Sequence, residues 1–265
     1  MTLHHRIGFM LIGAFLAIGC GHEAEAQSLE DILKGILQKA KKQEPAPTIT
    51  KKPAAGSAKD ADENAQAGLG ADEAALALGA TETHRRFEAL KALTPRLKEG
   101  LSGQELSVIL GDPKDSWRSQ MVTVLAPKAR AGLSGEEAAL ALGATETHRR
   151  FEAVNALTPR LKEGLSGKEL NVILGDPKDS WRSQMIAALA PKARAGLGAE
   201  EAALALGATE THRRFEAVKA LTPRLKEGLS GQEMNLILGD PKDSWRSQMV
   251  TVLAPKARTG PSTDK

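Results

Sequence analysis

A 64-residue segment occurs three times in this chain of 265 residues, at 68–131, 132–195 and 196–259. The second and third copies differ at only ten positions. Within each copy the opening Gly-Leu motif returns after 32 residues, at 100, 164 and 228. The basic unit is therefore about 32 residues long and is present six times. A period of this length is typical of stacked arrays in which each unit contacts only its neighbours.

Composition restricts how such an array can pack and what it can bind. Aromatic residues make up 3% of the chain and Tyr is absent, so Leu, Ala, Val and Ile must form the core. The formal net charge is +3, and the segment 132–195 has nine Lys or Arg residues against eight Asp or Glu. A nucleic-acid-binding surface normally carries a basic stripe, so nucleic acid is not an expected partner. The single cysteine, Cys20, excludes disulfide bonds within the chain.

The N-terminal segment, residues 1–26, has the features of an export signal. A short basic stretch precedes an apolar run at 7–19, which is shorter than a membrane span. The sequence offers two alternative sites at which this signal would be cleaved. Residues 16–20 (Leu-Ala-Ile-Gly-Cys) resemble a bacterial lipobox that would make Cys20 a lipidated first residue, whereas the Ala-Glu-Ala ending at Ala26 resembles an ordinary cleavage site. The sequence therefore predicts a cell-envelope or periplasmic protein, either anchored in the membrane by a lipid on Cys20 or soluble after cleavage.

Two further segments separate this signal from the repeats. Residues 27–42 carry Leu and Ile at helical spacing, which predicts a short amphipathic helix that docks on the first repeat, lies on a membrane surface or stays disordered. Residues 43–67 are rich in Pro, Ala, Lys and Asp without periodicity, which is typical of a flexible linker. At the other end, residues 260–265 are expected to form a disordered tail.

The first half of each unit has the signals of a short helix. In unit 100–131, Ser102 and Glu105 stand at the spacing of a capping box. Gly111 follows the apolar run Val-Ile-Leu and is the residue type that ends helices in a left-handed conformation. The spacing therefore predicts a helix of about two turns.

The second half of the same unit predicts another helix. Asp112 and Pro113 are suited to its cap and first positions. Asp115 and Ser116 are the alternative caps. The apolar face of this helix is expected to begin with Trp117.

The other three units share this plan with different side chains. In unit 68–99 the first helix is rich in Ala, Thr81 or Thr83 is expected to cap the second helix, and the second helix carries Phe87 but no tryptophan. A two-helix unit of this size cannot bury its apolar face alone and must pack on its neighbours. The fold expected is therefore an all-α solenoid of six two-helix units.

The turn between the helices resembles a known repeat. Residues 110–118 read Leu-Gly-Asp-Pro-Lys-Asp-Ser-Trp-Arg, and Val-Leu follows at 124–125. This run resembles the HEAT-like repeats of the PBS-lyase type, and the units with Phe match it only in part. The resemblance implies a helical solenoid that serves as a protein-interaction scaffold. Its signature positions are Asp112, Trp117, Arg118, Asp176, Trp181, Arg182, Asp240, Trp245 and Arg246.

Three sets of residues recur once in every 64. The histidines at 84, 148 and 212 are expected on the surface, too far apart to share a metal ion. The tryptophans are expected to fill the core, with a ladder of exposed binding anchors as the alternative. Paired arginines are the candidate partner-binding residues, because a row of them would present positive charge to an acidic partner. These are Arg85, Arg86, Arg149, Arg150, Arg213 and Arg214.

No arrangement of residues typical of a catalytic site is visible. We expect neither enzyme activity nor a bound cofactor or metal. The function predicted is an exported scaffold that binds another protein through its repeated helix faces. A structural spacer of the cell envelope without a specific partner is the alternative, and an enzyme with an unrecognised site is the third. Solenoids usually carry polar end units, whereas the last unit here is an ordinary copy that stops at Thr259. We therefore expect either that the predicted helix within 27–42 covers the other end or that the ends pair and the protein self-associates.

Overall fold

The computed structural model describes residues 68–259, which comprise the six units. Twelve α-helices lie in this range, two in each unit. They are α1 Ala71–Leu78, α2 Thr83–Leu93, α3 Gly103–Leu110, α4 Arg118–Leu125, α5 Gly135–Leu142, α6 Thr147–Leu157, α7 Gly167–Leu174, α8 Arg182–Leu189, α9 Ala199–Leu206, α10 Thr211–Leu221, α11 Gly231–Leu238 and α12 Arg246–Leu253. The predictions for the signal at 1–26 with Cys20, the segments 27–42 and 43–67, and the tail 260–265 lie outside the described residues.

The first helix of a unit forms as its local signals predict. Before α3, the Ser102 hydroxyl accepts a hydrogen bond from the backbone N–H of Glu105, and the Glu105 carboxylate accepts one from the N–H of Ser102 at 2.9 Å. Gly111 ends the helix with φ +75°. The predicted capping box and terminating glycine are therefore both confirmed.

The second helix of this unit begins later than predicted. The carboxylate of Asp112 accepts a hydrogen bond from the N–H of Lys114, two residues on, and that of Asp115 accepts one from the N–H of Trp117 in the same way. These local bonds hold the chain in turns, so α4 starts only at Arg118. The prediction that Asp112 and Pro113 begin the helix was wrong.

The helix that carries the Phe also begins differently. Neither threonine is its cap, because Glu82 occupies that position and the hydroxyl of Thr81 donates to the carbonyl of Leu78. Thr83 is the first residue of α2 and has φ +58°. A positive φ is rare for a β-branched residue and costs conformational energy. Thr147 and Thr211 have the same conformation. Each 64-residue repeat of two units, which we call a module, therefore contains this strained start.

Each unit closes on itself after its second helix. A short 3₁₀-helix, Thr94–Arg96 in the first unit, follows α2 and leads into an extended residue, Leu97. Leu97 pairs in parallel with Leu69, at the start of the same unit, through a single β-bridge. The same bridge recurs in all six units. It brings the start and end of every unit together, so one unit makes one turn of the solenoid.

Successive units stack as two layers of helices. First helices pack on first helices and second helices on second helices along the described array. The buried residues between the layers are Leu, Ala, Ile, Val and Met, and no Phe or Trp is among them. The predicted all-α solenoid of two-helix units is confirmed.

The distance between the first helices of two neighbouring units depends on one small residue at the start of the helix. The N–H of Gly103 donates to the carboxylate of Glu137 in the next unit at 3.3 Å, and a Cβ at Gly103 would lie 2.3 Å from the Glu137 carbonyl oxygen. Gly135 and Gly167 contact their following units in the same way. Ala71 and Ala199 occupy this position in two other units. An open groove lies beside each of these alanines, as expected if the methyl group holds the next unit away.

Candidate functional site

The two arginines of each predicted pair have different environments. Arg85, Arg149 and Arg213 are exposed, as the proposed binding row requires. The second arginine of each pair is buried, with exposed fractions of 6%, 2% and 5% at Arg86, Arg150 and Arg214. The prediction that these three belong to a partner-binding surface was wrong, because their guanidinium groups are enclosed by backbone.

The buried arginines join neighbouring units. Arg118 is 0% exposed. Its guanidinium donates to the carbonyls of Gly111 and Asp112 in its own unit and to those of Leu140 and Ala141 in the next unit, at 2.7–3.1 Å. All four carbonyls lie at or beside the C-terminal end of a first helix, where the helix dipole favours a cation. Arg118 therefore ties the ends of two stacked helices together.

Every unit that is followed by another unit contains an arginine that joins the two in this way. Arg86, Arg150, Arg182 and Arg214 all donate both to carbonyls of their own unit and to carbonyls of the following unit. Burial lowers the pKa of Arg118, Arg150 and Arg182 to about 10. A guanidinium with this pKa is still charged at neutral pH. Arg118 and Arg182 of the predicted signature are thus structural residues that join units.

The signature aspartates Asp112, Asp176 and Asp240 share one local role, since each carboxylate accepts a hydrogen bond from the N–H two residues on. Asp112 is exposed and bonds only locally, to Lys114. Asp115, which the signature omits, is 9% exposed. One of its oxygens accepts from Trp117, and the other accepts from the N–H of Thr83 in the preceding unit at 2.8 Å. Asp179 and Asp243 repeat both bonds.

Three aromatic rings converge where the two units of a module meet. The ring of Trp117 lies 5.3 Å from that of Phe87 and 4.8 Å from that of His84, measured between centroids, and the histidine is edge-on to the tryptophan. Trp117 lies directly before α4, whereas the other two residues lie in α2. The hydrogen bond from Thr83 to Asp115 fixes the two chain segments beside the cluster. We call this group of three rings an aromatic cluster.

The aromatic cluster recurs with the same geometry in each module. The His–Trp centroid distance is 4.8, 4.7 and 4.8 Å and the Phe–Trp distance is 5.3, 5.4 and 5.3 Å. The members of the second and third clusters are His148, Phe151, Trp181, His212, Phe215 and Trp245. These clusters contain every Phe and Trp of the described residues.

Each aromatic cluster reaches the surface. The Trp and Phe rings are half-buried, and the side chain of His84 is 59% exposed. Glu88 lies 3.6 Å from His84 one helical turn along α2. Arg85, also exposed, follows the histidine directly. The expectation that the tryptophans fill the core was wrong, because each is only partly buried and lies against the Phe and His rings of the second helix of the preceding unit.

A second repeated surface was not anticipated from the sequence. One apolar residue of every first helix is at least partly exposed, at intervals of 32 residues. Four of these side chains are exposed, from 41% at positions 108 and 204 to 84% at position 76, whereas those at 140 and 172 are only partly exposed. The residues are Leu76, Val108, Leu140, Val172, Leu204 and Leu236. The signal was present in the 32-residue register of the apolar positions, which can be compared only after the units are aligned.

The described residues supply few other candidates. Within 68–259, no three His, Cys, Asp or Glu side chains are grouped as a metal site would require. None of the helices in that range is long and apolar enough to span a membrane.

Comparison of the chain with protein-family models, curated proteins and solved structures found no match. The likeness to HEAT-like repeats therefore stays a prediction from the sequence. The repeated surfaces described above are the features from which a function can be argued.

Proposed function

We propose that this protein is an exported, non-catalytic scaffold that binds another protein through its three aromatic clusters. One observation carries the proposal. The chain places all the Phe and Trp of its described array at three partly exposed positions, so that none is fully buried and only the Phe rings pack against the core. Half-buried tryptophans with a polar rim are the usual anchors of protein interfaces, since their rings are rigid and already partly desolvated.

The surroundings of each aromatic cluster fit this use. His84, Glu88 and Arg85 surround the rings with exposed polar groups of both signs. An apolar centre with a polar rim is the normal anatomy of a protein-binding patch. The mixed charge also favours a protein partner over nucleic acid.

The repetition of the clusters indicates a multivalent partner. Three equivalent sites on one rigid array bind a partner with repeated epitopes more tightly than any single site does, provided that the spacings agree. A polymeric or clustered protein of the cell envelope would meet this condition. The export signal of residues 1–26 and the lipidation of Cys20 remain part of the proposal, since they would place the array in that compartment.

The test is capture of a partner from envelope extracts by the immobilised chain. We expect a protein that the wild type retains and that is lost stepwise as Trp117→Ala, Trp181→Ala and Trp245→Ala are combined. Since these changes could loosen the units, a second series replaces the three exposed histidines by Ala. Circular dichroism checks the fold of each variant.

A matched control changes the other layer of the array. Gln104, Lys168 and Gln232 are exposed on first helices, and their replacement by Ala should leave capture unchanged. If the wild type captures nothing at any salt concentration, or if the control series loses the partner equally, the proposal is wrong.

A further inference from the structure

The two ends of the described array have the sequence of internal units. The first unit, 68–99, differs from the fifth, 196–227, only at positions 72 and 90. The last unit, 228–259, differs from the second, 100–131, only at positions 106/234, 107/235, 108/236 and 131/259. None of these differences introduces a charge on an open end. Solenoid ends are ordinarily covered by polar end units, and neither end unit here is adapted in that way.

The C-terminal end exposes a surface that internal units bury. Val250 of α12 is 40% exposed, whereas Val122 and Ile186 at the equivalent positions are 1% and 2% exposed. Arg246 bonds only within its own unit, to Gly239, Asp240 and the side chain of Asn235. The equivalent arginines of the other units also donate to carbonyls of the following unit. Among the described residues, Arg246 has no such acceptor.

The N-terminal end exposes the complementary surface. Leu76 of α1 is 84% exposed and Leu204 at the equivalent position is 41% exposed. Ala77 and Ala89 are exposed, whereas their counterparts Ala141, Ala205, Ala153 and Ala217 are all 0% exposed.

Both junctions between modules are made by the same set of polar contacts. At the first junction, Arg118 donates to the carbonyl of Ala141 and the N–H of Ala144 donates to the carbonyl of Pro113. Arg130 pairs with Glu137 at 2.7 Å, and Arg160 donates to the carbonyl of Pro127. The second junction repeats all four, through Arg182 with Ala205, Ala208 with Pro177, Arg194 with Glu201 and Arg224 with Pro191.

The ends carry the two halves of a third such junction. The C-terminal end has the first half, in Arg246, Arg258 and the carbonyls of Pro241 and Pro255. The N-terminal end has the second half, in Glu73, Arg96, the N–H of Ala80 and the carbonyl of Ala77. Each group stands 64 or 128 residues from the one it would reproduce, in a unit of nearly the same sequence.

We infer that the occupant of each end is a second copy of this chain, stacked head to tail so that its first unit continues the array after the last. The contact joins two different surfaces, so it is heterologous and does not close between two chains. Such stacking extends the row of aromatic clusters beyond the three of one chain. The inference is independent of the partner proposed above, because it concerns only the ends.

Sedimentation velocity of the full chain over a range of concentrations tests this inference. The wild type is expected to form a series of species whose average mass rises with concentration. Val250→Glu buries a charge at one end of the junction and Ala77→Glu does so at the other. Each variant alone should remain monomeric, and circular dichroism should show both folded, since both positions are exposed within one chain.

An equimolar mixture of the two variants distinguishes head-to-tail stacking from other association. The intact C-terminal end of Ala77→Glu can bind the intact N-terminal end of Val250→Glu, so the mixture should form two-chain complexes and nothing larger. Thr123→Glu, at an exposed position away from both ends, should assemble like the wild type.

Several outcomes would overturn the inference. A wild type that stays monomeric at every concentration would show that the ends are covered within one chain, for example by residues 27–42. A single variant that still forms dimers would indicate contacts between like ends. Association of the chain with both substitutions would place the contact elsewhere, such as in the apolar run 7–19.

Discussion

The backbone N–H of Thr83 donates a hydrogen bond of 2.8 Å to the carboxylate of Asp115, 32 residues later in the chain. The other oxygen of that carboxylate accepts from the N–H of Trp117. One nearly buried side chain thus stabilises the positive φ of Thr83 and the turn that precedes α4. It also joins the two units of a module beside the aromatic cluster.

Replacement of Asp115 by Ala should destabilise the chain by about 2–3 kcal/mol, because two backbone donors lose a charged acceptor. Chemical denaturation measures this loss. Asp112→Ala is the matched control, since Asp112 lies in the same turn, is exposed and accepts one local bond. We expect about 1 kcal/mol or less there. Equal losses at the two positions would contradict the assigned role of Asp115.

Gly103→Ala should destabilise the array by about 1–3 kcal/mol, the usual cost of overpacking. The added methyl would meet the backbone of Glu137 at 2.3 Å and force two units apart. Gly231 occupies the same helix position in the same local sequence, but nothing lies within 4 Å of its Cβ site. Gly231→Ala should therefore change the free energy of unfolding by less than about 0.5 kcal/mol in monomeric protein.

Arg118→Met should cost at least about 3 kcal/mol, because several buried carbonyls lose their donor and each such loss costs about 1–3 kcal/mol. Arg246→Met should cost less, since Arg246 makes no bond to a following unit in the described residues. The difference between the two variants in urea denaturation measures the contribution of the contact between units. If both variants lose the same stability, the bonds to the next unit contribute nothing.

Stability should fall in acid as the carboxylates at the first-helix caps are protonated. The hydrogen bond from Lys98, with that from the N–H of Ser102, lowers the pKa of Glu105 to about 2 from an ordinary 4.5. A carboxyl group whose pKa is lower in the folded state stabilises that state above pH 4.5 and loses this effect as the pH falls toward 2. Denaturation at several pH values between these limits should show the decline, and Glu105→Gln should make it shallower. A stability independent of pH in this window would contradict the prediction.

The features that the sequence predicted correctly are local. Ser102, Glu105 and Gly111 lie within one helix, and their spacing alone specifies its two ends. The stacking of units follows from the repeat and from an apolar face that one unit cannot bury. Both conclusions needed no knowledge of which residues meet across units.

The features that the sequence missed depend on contacts between units. Arg85 and Arg86 are adjacent and alike, and only the position of the next unit decides which is buried. The 32-residue offset between Arg86 and Arg118 was a usable signal, since equivalent positions share a role. Trp117 was misplaced because its helix begins one residue later and its packing partner, Phe87, lies 30 residues earlier.

Removal of the middle module, 132–195, should leave a folded and less stable solenoid. The deletion joins the end of the first module to the start of the third, and each of these surfaces already contacts a module of nearly the same sequence in the intact chain. In a linear array, stability is roughly the sum of the unit terms and the junction terms. The loss of two units and two of their contacts should therefore lower the melting temperature, whereas folding should stay cooperative. A variant with all but one module deleted should melt lower still, and an unchanged melting temperature across the series would show that the modules fold independently.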